Sequence, residues 1–177
     1  MTPDTADATD ATDTTVIEAP TGSDRRAMSA GEKLAFRIVS ASTVPIWAAM
    51  ILVPNTRLTE RLVRLATPLY GLLGAAYVGF LATEVVNGEG GMPSFDDPEA
   101  LREALGSPTA FLAGWTHYIV FDLFVGRYIW TEARARGRND RIALFMTWMA
   151  GPAGLAMHLA RNAIGGTPAT PEASGEG

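Results

Sequence analysis

Three long stretches without a charged side chain limit what this chain can fold into. Ile38–Thr56 has none over 19 positions, Ala66–Thr83 none over 18, and Ile142–Ala160 none over 19 when histidine is neutral. A helix rises about 1.5 Å per residue, so about 20 residues cross a hydrocarbon layer about 30 Å thick. Each stretch is therefore predicted to be a helix that spans a membrane.

A fourth apolar stretch, Ala110–Trp130, is as long but contains His117, Asp122 and Arg127. A soluble four-helix bundle is the alternative fold, and it requires a charged outer face on each helix. The uncharged stretches have no such face. We therefore predict an all-α fold: a multi-pass integral membrane bundle of four transmembrane helices. The Ala- and Arg-rich composition is typical of a bacterial chain, so the expected location is the plasma (inner) membrane.

The segments outside these stretches differ from them in composition. The first 24 residues contain six acids and no base. Such a segment buries too little apolar surface to offset the conformational entropy lost on ordering it. We expect disordered tails at 1–32 and 162–177 around a transmembrane domain at 33–161.

Composition excludes several kinds of site. The chain has no cysteine, which removes disulfides, thiolate-bound zinc, iron–sulfur clusters and cysteine nucleophiles. Its basic residues are scattered rather than gathered on one face, so no nucleic-acid partner is expected. Metal-binding and phosphate-loop motifs are missing, so we expect neither a metal nor a cofactor. A haem held by His117 and His158 is disfavoured, because their depths in the third and fourth spans differ by about 7 Å.

The charges that flank the stretches bear on orientation. Arginines follow the first and third stretches, in the loops 56–65 and 131–141, and suggest that these loops are cytoplasmic. The loop at the opposite side is acidic, and in it Asp96 as a cap ahead of Pro98 predicts a short interfacial helix over Pro98–Leu105. Basic residues before the first stretch oppose this orientation: Arg25, Arg26, Lys33 and Arg37.

Ionisable residues inside a membrane are costly and usually face the interior of a bundle, which makes His117 and Asp122 the candidate catalytic residues. They do not share a helix face, because five residues rotate a helix by about 140°. Trp115 and Tyr118 share a stripe with Asp122, and Phe121 shares one with His117. Asp122 is either a polar anchor or proton-transfer group in a ligand pocket, or a buried carboxyl that hydrogen-bonds a neighbouring helix. His117 either performs acid–base chemistry or only links helices.

Three further residues are candidates for substrate binding. Arg127 lies near the inner end of its stretch, where it contacts either a substrate or lipid phosphates. Glu84 directly follows the second stretch and becomes a candidate if it faces His117. Tyr77 lies within the second stretch and is a candidate partner for Asp122.

The third stretch also carries a family resemblance. The string GWTHYIVFDLFVGR, from Gly114 to Arg127, is long and specific, and it is accompanied by PIW at 45–47, MILVPN at 50–55 and GPAGL at 151–155. The chain resembles the neoxanthin-synthase-like, or abscisic-acid-deficient-four-like, family of small integral membrane proteins of plastids and bacteria. The resemblance implies a four-helix membrane protein. For the plant members it implies a role in making the xanthophyll neoxanthin from violaxanthin.

Two hypotheses about function follow. In the first, the protein binds or isomerises a carotenoid or another isoprenoid between its helices, an isomerase-type activity implied by the resemblance. His117 and Asp122 would supply the proton donor and the base that an epoxide rearrangement needs, and Trp115, Tyr118 and Phe121 would form walls. The alternative is a non-enzymatic membrane scaffold or lipid-binding protein. Membrane lipids, an isoprenoid ligand and a second copy of the chain are the expected partners.

Overall fold

A computed structural model of the protein describes residues 26–87 and 96–165. These residues form six α-helices and no strand, which confirms the all-α prediction. Residues 1–25 and 166–177 of the predicted tails lie outside the described residues. The helices are α1 (Ala30–Leu52), α2 (Arg57–Asn87), α3 (Pro98–Ala104), α4 (Pro108–Ala135), α5 (Arg141–Ala150) and α6 (Pro152–Ile164).

Short polar side chains cap the helices that follow the second loop. Ser107 caps α4, because its hydroxyl accepts a hydrogen bond from the Ala110 N–H. The short helix α3 forms where it was predicted, but its cap is Asp97 rather than Asp96. The Asp97 carboxylate accepts hydrogen bonds from two N–H groups in the first turn of the helix, which begins at Pro98.

Helix α4 lies at the centre of the fold and contacts α1, α2, α5 and α6. Its Gly126 lets Trp47 of α1 pack directly against the α4 backbone, since a Cβ at this position would lie 2.4 Å from the indole ring. Most of the buried core comes from the second halves of α1 and α4, the first turns of α2, and α5. Its members are Ile46, Trp47, Met50, Val63, Ala66, Leu123, Ile129, Trp130, Ala143 and Leu144.

The fourth predicted span is not one helix, which corrects the prediction of a continuous span. The chain breaks at Gly151, whose φ of +45° is readily adopted by glycine, and Pro152, which has no N–H to donate, begins α6. Helices α5 and α6 then run antiparallel. The His158 ring lies 2.5 Å from the Asp140 carboxylate, whereas a straight helix would separate the two residues by about 27 Å.

The two arms of this α5–α6 hairpin pack backbone against backbone. A Cβ at Gly154 would lie 2.3 Å from the Thr147 nitrogen and 2.4 Å from the Ala143 carbonyl oxygen, so the approach requires glycine. With 10 and 13 residues, the arms are about 15 and 20 Å long, too short to cross a bilayer.

We call Gly151 and Pro152 the hairpin tip. The hairpin end of the molecule is where α4 and α6 end, and the N-terminal end is where α1 and α4 begin.

Among the described residues, α1 and α2 are long and apolar enough to cross a membrane. A core helix of a soluble protein would be mostly buried, but only 6% of the most apolar window of α2 is buried. Small residues at three- and four-residue spacing, as in α2, commonly form contact faces between membrane helices. Nothing lies within 4 Å of where a Cβ would stand at Gly71, Gly74 or Gly79, so helices of the described chain do not use these faces. The apolar surface of α2 is therefore directed outward.

Candidate functional site

An aromatic surface runs along the N-terminal half of α4. Phe111, Trp115 and Tyr118 are spaced by four and then three residues, which places them on one helix face. Their rings stack in succession, with centroids 6.2 Å apart for the first pair and 6.0 Å for the second. Phe36 of α1 packs on the same surface, 5.3 Å from the Trp115 ring. We call these four residues the aromatic track.

The aromatic track is open to the outside of the molecule. Phe111 and Tyr118 are 43% and 40% exposed. The hairpin explains this exposure, because its arms are only half as long as the helices beside them and its tip stops at the level of Tyr118. Above the tip, α1 and α4 are joined by a 3.0 Å hydrogen bond from the Trp115 indole N–H to the Ser40 hydroxyl. The hairpin thus leaves a lateral face that a full-length fourth helix would have covered.

The track ends where Asp122 meets the hairpin tip. A Cβ at Gly151 would lie 2.8 Å from Asp122 Oδ1 and 3.3 Å from the Tyr118 hydroxyl oxygen, so glycine leaves room for both groups. The Tyr118 side chain hydrogen-bonds to the Asp122 carboxyl, but Oδ2 of this carboxyl is buried and has no hydrogen-bond partner of its own among the described residues. Leaving a buried polar atom unpaired costs about 1–3 kcal/mol, and such an atom in a native fold calls for an explanation. A donor supplied by a ligand is one.

The structure places His117 away from Asp122, on the face of α4 that packs against α2. Its ring stacks on Phe121 at 4.4 Å and lies 5.7 Å from the Tyr77 ring. Tyr77, the predicted partner of Asp122, therefore accompanies His117 instead. The two faces of α4 agree with the predicted stripes. One face carries Asp122 with Trp115 and Tyr118, and the other carries His117 with Phe121. A joint action of His117 and Asp122 on one ligand ring has no geometric support, because the two side chains contact different helices.

The two remaining candidates lie at opposite ends of α2. Glu84 accepts a hydrogen bond from the Ser107 hydroxyl at 2.7 Å. Ser107 is the N-cap of α4 and precedes His117 of that helix by ten residues. Glu84 therefore lies by the start of α4 and not beside His117. Arg127 donates to the Thr67 hydroxyl at 3.0 Å, about one and a half turns beyond Asp122 and still about two turns before the end of α4. Neither residue belongs to the aromatic track.

A second polar cluster lies at the base of the hairpin, and sequence patterns gave no indication of it. The Asp140 carboxylate is fully buried and accepts hydrogen bonds from the Arg161 and Arg138 guanidinium groups. The same carboxylate lies 2.5 Å from Nδ1 of His158, which is also fully buried. Asn162 completes the network by bonding both the Arg138 guanidinium and Nε2 of His158. We call these five residues the hairpin-base network.

The directions of the hydrogen bonds in the hairpin-base network follow from its donors. Because the Arg138 guanidinium can only donate, the Asn162 carbonyl oxygen must face it and the Asn162 NH₂ must face His158. Nε2 of His158 then accepts a hydrogen bond and Nδ1–H donates to Asp140, which defines the tautomer of the ring. The hydrogen bond to Asp140 also changes the expected position of His158 along the membrane normal. Its ring lies at the hairpin end and not at the far end of a continuous fourth span. A haem shared with His117 is therefore not supported by the positions of the two rings.

Neither cluster resembles a metal centre. Among the described residues, no group of three or more His, Asp or Glu side chains is placed to hold a metal ion. A cavity of about 210 Å³ lies between α1, α2 and α4 at the N-terminal end, with Glu32, Phe80 and Thr83 among its lining residues. Pockets for drug-sized ligands usually exceed about 300 Å³. This cavity is therefore too small for a long isoprenoid, whereas the aromatic track is an outer face.

The chain matches a known protein family. A family model described as ABA DEFICIENT 4-like matches residues 34–158, which is most of the chain. The matched segment contains the aromatic track, Asp122 and the hairpin tip. Neither a curated protein nor a solved structure matches the chain.

Proposed function

This chain belongs to the ABA DEFICIENT 4-like family, and we propose that it is a multi-pass protein of the bacterial inner membrane that binds a carotenoid or another long isoprenoid along the aromatic track. In this proposal α1, α2 and α4 cross the bilayer, and the α5–α6 hairpin enters it from one side to about half its depth. The lengths of the three helices, 23, 31 and 28 residues, support the proposal. So does the outward-directed apolar surface of α2.

The observation that carries the proposal is the unpaired Oδ2 of Asp122 at the end of a stacked aromatic surface. From Phe111 to Asp122 the helix rises about 16 Å, so a flat or conjugated chain can lie over three rings with its end group at the carboxylate. Aromatic surfaces of this kind pair well with planar π-systems. A hydroxyl on the ligand would supply the donor that Oδ2 lacks.

Isomerisation is the reaction that this arrangement supports best. An isomerase delivers one proton to its substrate and removes another, with no net change in atoms. Asp122 and Tyr118 place a carboxyl and a hydroxyl beside the same point at Gly151. In the proposed reaction these two groups, rather than His117, exchange protons with the end group of the isoprenoid.

Pigment retention tests the proposal. The protein is purified from a host that makes hydroxylated and epoxidised carotenoids, and bound pigment is measured by absorption and mass spectrometry. We expect Asp122→Asn and Phe111→Ala to lower retention about tenfold, since each removes a contact worth about 1.4 kcal/mol. Conversion is followed by chromatography as the appearance of a product of unchanged mass.

Phe124→Ala is the matched control for Phe111→Ala, because Phe124 is also exposed on α4 but lies off the aromatic track and contacts Tyr70. Equal retention in the two alanine variants would contradict binding along the track. A wild-type protein that carries no pigment from such a host would contradict the proposal as a whole.

A non-enzymatic scaffold remains the second candidate, and one observation favours it. Helix α6 has no side-chain hydrogen bond at its N-cap, Gly151, and the Asp122 carboxylate lies beside that terminus. A negative charge there stabilises a helix by about 0.3–1 kcal/mol through the helix dipole. If this is the role of Asp122, Asp122→Asn lowers the melting temperature and leaves the lipids and pigments of the host unchanged.

A further inference from the structure

The two ends of the described molecule differ sharply in charge. The N-terminal end carries four basic and six acidic residues: Arg26, Lys33, Arg37 and Arg102 with Glu32, Glu84, Asp96, Asp97, Glu99 and Glu103. The hairpin end carries eight arginines and three acids. They are Arg57, Arg61, Arg64, Arg134, Arg136, Arg138, Arg141 and Arg161 with Glu60, Glu132 and Asp140. The turn at the hairpin tip increases the difference, because it returns Arg161 to the basic end.

The three acidic side chains of the hairpin end all form ion pairs with arginines outside α2. Glu60 binds Arg134 at 2.7 Å and Glu132 binds Arg136 at 2.5 Å, and Asp140 belongs to the hairpin-base network. No acid is left for the arginines in the first turns of α2. The surplus positive charge at this end is therefore not neutralised within the described residues.

Arg57, Arg61 and Arg64 form an unpaired basic stripe on α2. Their spacing places them within about 60° on one face of the helix, and all three are exposed. None makes a hydrogen bond or ion pair within the part of the chain that the structure describes. Like charges four residues apart destabilise a helix, and a cation in the first turn is opposed by the helix dipole. The stripe therefore acts against the stability of the isolated protein.

We infer that this basic stripe binds the phosphate groups of anionic lipids in the leaflet at the hairpin end. A stripe of guanidinium groups that lacks carboxylate partners suits phosphates, which accept paired hydrogen bonds from arginine. Exposed leucines flank the stripe at Leu58 and Leu65, as expected where a helix passes from headgroups into acyl chains. The inference shares with the proposed function only the membrane location, and it also assigns the hairpin end to the anionic cytoplasmic leaflet.

Lipid titration of the full-length protein tests this inference. Phosphatidylglycerol and phosphatidylcholine are titrated separately into detergent-purified protein, and bound lipid is counted by native mass spectrometry. Each arginine near an anionic surface contributes about a fivefold gain in affinity, so the variant Arg57→Gln/Arg61→Gln/Arg64→Gln should bind phosphatidylglycerol on the order of a hundredfold more weakly. Binding of phosphatidylcholine should not change.

The matched control is Lys33→Gln/Arg37→Gln/Arg102→Gln, which removes the same charge from the N-terminal end. Equal losses in the two triple variants would overturn the inference, because they would show an effect of net charge alone. Displacement of the lipid by equimolar inorganic phosphate would overturn it as well, since the site would then be one for a free anion. If the triple variant does not fold, Arg61→Gln alone should show about a fivefold loss, and no loss there counts against the stripe.

Discussion

An aspartate lies at each end of the α5–α6 hairpin, Asp140 at its base and Asp122 of α4 against its tip, and the two differ in their hydrogen bonds. At the base, Asp140 is fully buried and bonded by Arg138, His158 and Arg161. At the tip, Asp122 is partly buried and its Oδ2 has no partner among the described residues. Both oxygens of the Asp140 carboxylate have donors, whereas the Asp122 carboxyl has a hydrogen bond with Tyr118 and one buried oxygen without a donor.

Under the proposed function, this difference separates the structural role of Asp140 from the binding role of Asp122. A buried polar network in which every member is bonded fixes one arrangement of its elements. A group that is held in position by neighbours but lacks its own donor is prepared for an external one. The hairpin therefore combines a closed base, which sets the position of the tip, with a tip that lies against the carboxylate at the end of the aromatic track.

Asp140→Ala should have the largest effect on stability. It leaves two guanidinium groups and a buried imidazole without their shared acceptor, and breaking a buried ion pair costs about 3–5 kcal/mol. We expect a large fall in the melting temperature of the detergent-solubilised protein, measured by calorimetry. Asp122→Asn is the comparison, with an expected loss below about 1 kcal/mol. Equal losses would end the distinction between base and tip.

The tip itself is tested by Gly151→Ala, with Gly137→Ala as the matched control. Both glycines have positive φ, +45° and +65°, so each alanine adds a backbone strain of about 1–3 kcal/mol. Only at Gly151 would the new Cβ also press on Asp122 and Tyr118. We therefore expect both variants to be destabilised but only Gly151→Ala to lose bound pigment. Pigment loss in Gly137→Ala as well would mean that global destabilisation explains both results.

Much of the fold could be predicted from the sequence, because helix length and apolarity are local properties. The positions of α1, α2 and α4 follow from the apolar stretches, and Pro98 with its preceding aspartates marks α3. Helical spacing also separates the stripe of Asp122 from that of His117. These predictions need only the geometry of one helix, and the tertiary structure does not alter them.

The hairpin could not be predicted in the same way. An uncharged stretch of 19 residues has the same hydropathy whether its helix crosses a membrane or turns back at the middle. A proline inside an apolar stretch, such as Pro152, is common in membrane helices and by itself indicates no more than a kink. The hairpin-base network depends on the turn, because Asp140 and His158 would otherwise stand at opposite ends of one helix. Phe36 was missed for a related reason: it joins the track only through the packing of α1 on α4.

The smallest effect expected concerns a single proton at the base. In the hairpin-base network Arg138 fixes the orientation of Asn162, and Asn162 then presents a donor to Nε2 of His158. His158 should therefore carry its proton on Nδ1 and accept a hydrogen bond at Nε2, and ¹⁵N NMR of selectively labelled protein distinguishes the two nitrogens. Asn162→Ala removes the donor to Nε2 without adding a charge, so the ¹⁵N shift of Nε2 should change while the hydrogen bond from Nδ1–H to Asp140 remains. An unchanged Nε2 shift in this variant would contradict the orientation of Asn162, and the base of the hairpin would then not be the fully bonded network that distinguishes it from the tip.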